Sequence, residues 1–461
     1  NDDGPPVATI HVQTCPCPRG KNAISRAGCG HGPAVWTISY GHSRWRQCSK
    51  SVCRCDANHR LLKCWRAGLT SLSADLVVPA DLYTVDLGTN KLRTLHKSTF
   101  KGMKSLTELD MFDNHVEFLP SGIFDPLVNL KILRLQRNYL EEIDGEAFRF
   151  TKKLFHVDLS NNYLYTLPER LFVNNSYLET IDISNNRIVY MPSDTFVGLR
   201  SLLILDLSKN KIQKIENGTF VLKKLQILKL SENKISNITE NAFDNLVSLE
   251  TLLLDKNSLQ NIPACLFQNL YCLIYLDISS NHLTMVSFCH NFLKYVMKLL
   301  TRFYSLTGLE FQSLMELRHL DIKDNYITQL PDDVFVNCTN LEKLDLSKNK
   351  LRFLNYTLAN VKLSNNPWHC DCHALYISAW VRLNEMKIWD YSPTCVSPWY
   401  LEGHFLKKLK FPELCTGQWA SMVNLAPRLP MQTLLALNVS VHRNEKSIEQ
   451  NDSDDSSEDW E

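Results

Sequence analysis

The sequence predicts an α/β solenoid, in which short coils stack on one another with parallel strands along an inner face and a disulfide-bonded cap at each end. Two observations predict it. An asparagine and phenylalanine register runs through the middle of the chain, and cysteines gather towards both ends. The stretches "LYTVDLGTNKLRTLHKSTFKGMKS" from Leu82 and "LETIDISNNRIVYMPSDTFVGLRS" from Leu178 share one pattern, L-x-x-hydrophobic-x-L/I-x-x-N-x-L/I, with Phe nineteenth. Asn90, Asn114, Asn138, Asn162, Asn186 and Asn210 recur every 24 residues, and the series continues at Asn233, Asn257, Asn281, Asn325, Asn349 and Asn366. Phe keeps step from Phe100 and Phe124 through Phe311 and Phe335.

Each element follows from that spacing. The L-x-x-L-x-L stretch alternates inward and outward, as a short strand must. Strands of successive units stack about 4.8 Å apart, so about twelve units make a ridge roughly 55 Å long. Every Asn falls where the chain leaves its strand. There a buried amide can satisfy backbone groups that no regular ladder reaches. The Phe column fills the far side, which is bulkier than the strand side and bends the stack with its strands inside. The pattern resembles the leucine-rich repeat over about residues 82–366.

A stacked coil exposes two apolar ends that must be covered. "NPWHCDC" follows the last strand, and Cys395 and Cys415 come later. With His369 and His373 beside Cys370 and Cys372, metal binding or redox chemistry is one reading. The redox reading wants a C-x-x-C, which this block lacks, and in a secreted protein metal binding competes with oxidation. The block resembles the carboxy-terminal cysteine-rich cap of extracellular leucine-rich repeat proteins such as Slit and the Toll-type ectodomains. That resemblance implies the bonds Cys370–Cys395 and Cys372–Cys415, with Trp368, Leu375 and Trp380 lying over the last coil. Upstream, Cys48, Cys53, Cys55 and Cys64 resemble the amino-terminal cap, which implies Cys48–Cys55 and Cys53–Cys64. Spacing alone leaves all three pairings of four cysteines open. Cys15, Cys17 and Cys29 have no place in the family pattern, and a zinc knuckle there lacks a fourth ligand.

The expected organisation is therefore a Cys-containing extension (1–47), an amino-terminal cap (48–81), about twelve repeats (82–366), a carboxy-terminal cap (367–415) and an acidic, partly disordered tail (416–461). Between Asn281 and Asn325 the register lengthens to 44 residues. The surplus, about 288–307, reads either as a projecting helical loop or as a stretch foreign to the protein, such as a translated intron. Deleting it restores the repeat and leaves an even 14 of the 15 cysteines.

Composition narrows the function. With 50 basic and 49 acidic residues, the formal charge of +1 gives no global field towards nucleic acid or acidic membranes. No apolar window is long enough to span a bilayer. The chain starts at Asn1 without a basic-then-apolar leader, so either a leader was removed or none existed. The cysteine count favours the first and places the chain outside the cell, as secreted protein or ectodomain. Sequons at Asn174, Asn217, Asn237, Asn337, Asn355, Asn438 and Asn451 agree with that route. Those within repeats fall at unit positions 13 to 21, off the expected strands, so glycans would leave the inner face bare.

Nucleophile-elbow, zinc-protease and phosphate-loop sequences are lacking. The chain is expected to be no enzyme and to take no cofactor. The resemblance implies a protein ligand or receptor bound through the solenoid surface, in adhesion, guidance or innate recognition. A structural matrix modulator and an inhibitor of a secreted enzyme are the alternatives. At unit position 5 an acidic stripe runs through Asp86, Asp110, Asp158, Asp182, Asp206, Asp277, Asp321 and Asp345, broken by Arg134, Lys229, Leu253 and Lys362. It reads either as a site for a basic partner or as a strand preference. Repeats two to four depart from the Ser and Asp usual elsewhere, and the candidate contacts are Phe112, Arg134, Gln136, Arg137, Phe155 and His156.

Overall fold

The computed structural model describes residues 37–39, 52–72, 77–263, 266–284, 314–330, 334–335, 338–354 and 360–414. The stretch 288–307 and the tail lie outside them, as do Cys15, Cys17, Cys29, Cys48 and Cys415. Among the described residues one sheet of 14 strands runs through the repeats. It starts with the antiparallel hairpin of Arg54–Asp56 and Leu61–Lys63. Leu61–Lys63 then pairs in parallel with Thr84–Asp86. From there each repeat adds one three-residue strand at the same unit positions, ending with Lys343–Asp345 beside Asn360–Lys362. His319–Asp321 pairs directly with Tyr275–Asp277, so the sheet closes across the lengthened register.

The strands are short because each needs only three residues to turn one leucine inward between two outward side chains. Leu133, Val157, Ile181 and Leu205 are buried at the middle position. On the far side Phe100, Phe124, Phe148, Phe172, Phe196, Phe220 and Phe243 form a buried column with ring centroids 5.6–6.4 Å apart. Full burial of each such ring stabilises the fold by about 2–3 kcal/mol.

The asparagine column does what its position requires. Asn162 donates through Nδ2 to the carbonyls of Leu159 in its own coil (3.0 Å) and Leu135 in the coil before (3.0 Å). Its Oδ1 accepts from the Leu140 amide at 3.1 Å. The next copy, Asn186, repeats this with Ile183, Leu159 and Leu164. The residue before each Asn is left-handed in repeat after repeat, as at Arg137 (φ 57°), Lys209 (φ 56°) and Lys348 (φ 54°), although none is glycine. The paired Asn and strand hold a conformation that these side chains disfavour.

Both ends are sealed by sulfur and packing. Cys53 is bonded to Cys64 and Cys370 to Cys395. Cys55 and Cys372 are also disulfide-bonded, and the partners expected for them, Cys48 and Cys415, lie outside the described residues. Trp368 is buried and donates Nε1–H to the Leu363 carbonyl at 3.2 Å. The cap helix Leu375–Leu383 buries Leu375 and Trp380. Asp390 accepts the amides of Leu363 and Ser364 (3.1 and 2.9 Å), closing the edge that a further repeat would have paired.

Candidate functional site

On the sheet, unit positions 3 and 5 point outward, flanked by position 2 before the strand and positions 7 and 8 after it. The acidic stripe has a structural task. Asp110, Asp158, Asp182, Asp206 and Asp277 each accept through Oδ1 the amide two residues on, at 2.8–3.0 Å. This turns the chain out of the strand, the local use to which Asp is suited. Burial raises the pKa of Asp110, Asp182, Asp277 and Asp321, and neighbouring carboxylates push the same way. The chain's own cations answer part of that charge. Lys229 Nζ lies 3.0 Å from Asp206 and Lys362 Nζ 3.0 Å from Asp345.

The six candidate contacts occupy different parts of this surface. Arg134 forms an ion pair with Glu108 and lies 3.6 Å from Asp110, so its guanidinium is anchored in the sheet. Phe112 is half-buried, with its ring over Gly88. His156, half-buried on the neighbouring strand, has its pKa lowered by burial, with nearby Arg134 adding to the effect. Phe155 stands just before that strand and is 44% exposed. Gln136 is half-buried beyond the strand end, with Oε1 lacking a hydrogen-bond partner. Arg137 is exposed and lines a separate groove along the rim. The structure thus gathers Arg134 and His156 on adjacent strands and places the others at the two strand ends.

A second concavity, of about 380 Å³, lies towards the carboxy-terminal end of the sheet. Tyr275, His319, Asp321, Lys343 and Asp345 line it, and Trp389 of the cap forms a wall. Lys362 Nζ sits 3.9 Å from the Trp389 ring centroid. Tyr275 and His319 stand at position 3, where Thr and Ile are commoner, and that departure is a readable signal. Trp389 lies outside the repeats, so no register could have placed it there.

Asn174, Asn217 and Asn237 are exposed and lie off the main sheet. Asn237 does sit on a strand, Asn237–Ile238, which pairs with Lys214–Ile215 in a separate two-stranded sheet. Asn337, Asn355, Asn438 and Asn451 lie outside the described residues. At the cap, the thiols of Cys370 and Cys372 are consumed in disulfides. His369 meets Ser397 Oγ at 2.6 Å, and His373 meets Asp371 at 3.0 Å. Among the described residues no group of three or more His, Cys, Asp or Glu side chains could hold a metal ion, and no helix is long and apolar enough to cross a membrane.

The leucine rich repeat family model matches residues 80–140, 128–188, 154–212, 176–222, 202–259 and 315–365, together half of the chain. This chain belongs to the leucine-rich repeat family. Carboxypeptidase N subunit 2 of Mus musculus is 42% identical over 60 residues, 13% of this chain and 11% of that protein. Trophoblast glycoprotein of Mus musculus is 34% identical over 110 residues, 22% of this chain and 26% of its own. The leucine-rich repeat chain thus spans about a quarter or less of these relatives' lengths. Among solved structures, a chain of the octameric complex of Latrophilin 3, Unc5D and FLRT2 aligns with a TM-score of 0.57 at 22% identity. That match covers 79% of this chain and 98% of the other. A chain of the LRIM1/APL1C complex aligns at 0.54 and 20% identity, over 80% of this chain and 66% of its own. These structures share the fold.

Proposed function

We propose that this chain is an extracellular recognition module that binds a protein partner through the sheet face of its solenoid, without catalysis. One observation carries the reading. The strands present half-exposed side chains in unbroken register, among them Ile204, Ile227, Leu253 and Tyr275 between charged neighbours, while Asn174, Asn217 and Asn237 are exposed elsewhere. A half-apolar surface whose charges are largely paired with one another has the anatomy of a protein interface. Arg134 and His156 on adjacent strands mark one part of it, with Phe155 and Phe112 at the two strand ends, and the Tyr275–Trp389 concavity forms a second. Disulfides at both caps fit an oxidising compartment, and the solved relatives named above come from complexes with other proteins.

Binding of the glycosylated chain to intact cells and to matrix extracts tests this. Saturable, protease-sensitive binding to cells supports recognition of a surface protein. Binding to collagen alone favours a matrix role, and inhibition of a co-purifying secreted enzyme favours the third reading.

A further inference from the structure

The net charge near zero conceals a separation. Carboxylates predominate on the sheet face, whereas over the first six repeats the adjoining rim, formed by unit positions 8 and 10, carries mainly cations. A groove of about 680 Å³ runs along this rim over the first five repeats, with Lys91, Arg137 and Arg187 along it. All three are exposed. Lys209 and Lys211, also exposed, continue the same two columns in the sixth repeat. Asp113 is the acidic residue in the groove lining.

The groove wall is a stack of rings. His115 and Tyr139 have centroids 5.3 Å apart, Tyr139 and Tyr163 5.6 Å, and the Arg187 guanidinium covers Tyr163 at 4.0 Å. Both faces of Tyr139 and Tyr163 are therefore occupied by neighbours. Across the groove Asn185 donates Nδ2–H to Asn161 Oδ1 at 2.6 Å, giving a row of exposed amides.

We infer that this rim groove binds a sulfated polysaccharide chain laid along the solenoid axis. Cations spaced along a trough match an extended polyanion. The coils repeat about every 4.8 Å, close to the advance of one pyranose unit. Tyrosine edges and asparagine amides suit sugar hydroxyls. A nucleic acid strand would want open ring faces on which to stack bases, and here those faces are covered. A protein would want an apolar anchor, and the groove lining is polar and aromatic-edged. The site is separate from the sheet face, so either can fail without the other.

The test measures binding of size-defined heparin fragments to the full chain over a range of salt. Desulfated fragments and a single-stranded oligonucleotide of equal charge serve as comparisons. The triple variant Lys91→Gln, Arg137→Asn, Arg187→Gln uses Asn at the left-handed position, as Asn161 and Asn185 already do. The sulfated fragments bind best and salt-sensitively, and the triple variant weakens them by roughly tenfold or more. Protection of Arg137 and Arg187 of the unmodified chain from an arginine-selective reagent gives a second readout that needs no variant. Equal binding by the variant, stronger binding of the oligonucleotide, absence of binding at low salt, or unprotected arginines would each overturn the assignment.

Discussion

A Cβ added at Gly88 would fall 2.3 Å from Cε1 of Phe112, because the phenylalanine ring lies against the backbone of the preceding coil. The ring that sequence reading marks as a binding contact is therefore also a lid over the first repeat. Replacing Gly88 by Ala should push the ring outward and cost about 1–3 kcal/mol, the range for overpacking. Denaturant unfolding checks the cost, and the ring's proton shifts report its movement.

The asparagine column should be expensive to break. In Asn162→Ala the buried Leu140 amide loses its acceptor, while the Leu135 and Leu159 carbonyls each lose one of two donors and keep Asn138 and Asn186. One orphaned buried amide costs ~1–3 kcal/mol, and the variant should lose stability in that range. Hydrogen exchange should quicken first in the coils on either side, since each coil contacts only its neighbours.

The stripe should be costly at neutral pH. The Asp321 carboxyl is held above its ordinary 3.8 by burial first and the Asp277 charge second. Its contribution to stability is fully present below 3.8 and is lost as pH rises through the higher folded value. Asp321→Asn keeps an oxygen for the Lys323 amide that Asp321 now accepts at 3.0 Å. It should match or exceed the parent in melting temperature at pH 7, and that difference should shrink in acid. A variant markedly less stable at pH 7 would show that the carboxylate is net favourable.

Left-handed positions offer a gain. Lys348 holds φ 54° on an exposed corner, and Lys348→Asn should stabilise by up to about 1 kcal/mol, because Asn tolerates that conformation. Thermal unfolding reads it directly.

Much of this was legible in the sequence, for physical reasons. Asn162 and Phe172 recur because a stacked coil gives every copy the same neighbours, so period alone predicts the ladder and the ring column. The stripe was ambiguous because an Asp that closes a turn and an Asp that awaits a cation look identical until the Ser184 amide is seen on Asp182. The His115–Tyr139–Tyr163 stack shows at position 10 only as three rings a coil apart, which the strand pattern does not single out. The pairing of Lys214–Ile215 with Asn237–Ile238 left no signal, because two residues are too few for alternation. Phe112 looks like a free contact in the sequence because Gly88, a coil earlier, gives no sign that it makes room for a ring.

The sheet-face claim has a direct test in the stripe itself. Asp182→Asn converts Asp182-Ile183-Ser184 into an N-glycan acceptor in mid-sheet, whereas the double variant Asp182→Asn, Ser184→Ala loses the same charge and creates none. Both chains, expressed through the secretory route with occupancy at residue 182 checked by mass, are compared for saturable, protease-sensitive binding to intact cells. The account predicts that a glycan at residue 182 abolishes binding while the double variant, which carries the same charge change and no glycan, binds as the parent does. Undiminished binding by a folded, fully glycosylated Asp182→Asn chain would contradict it.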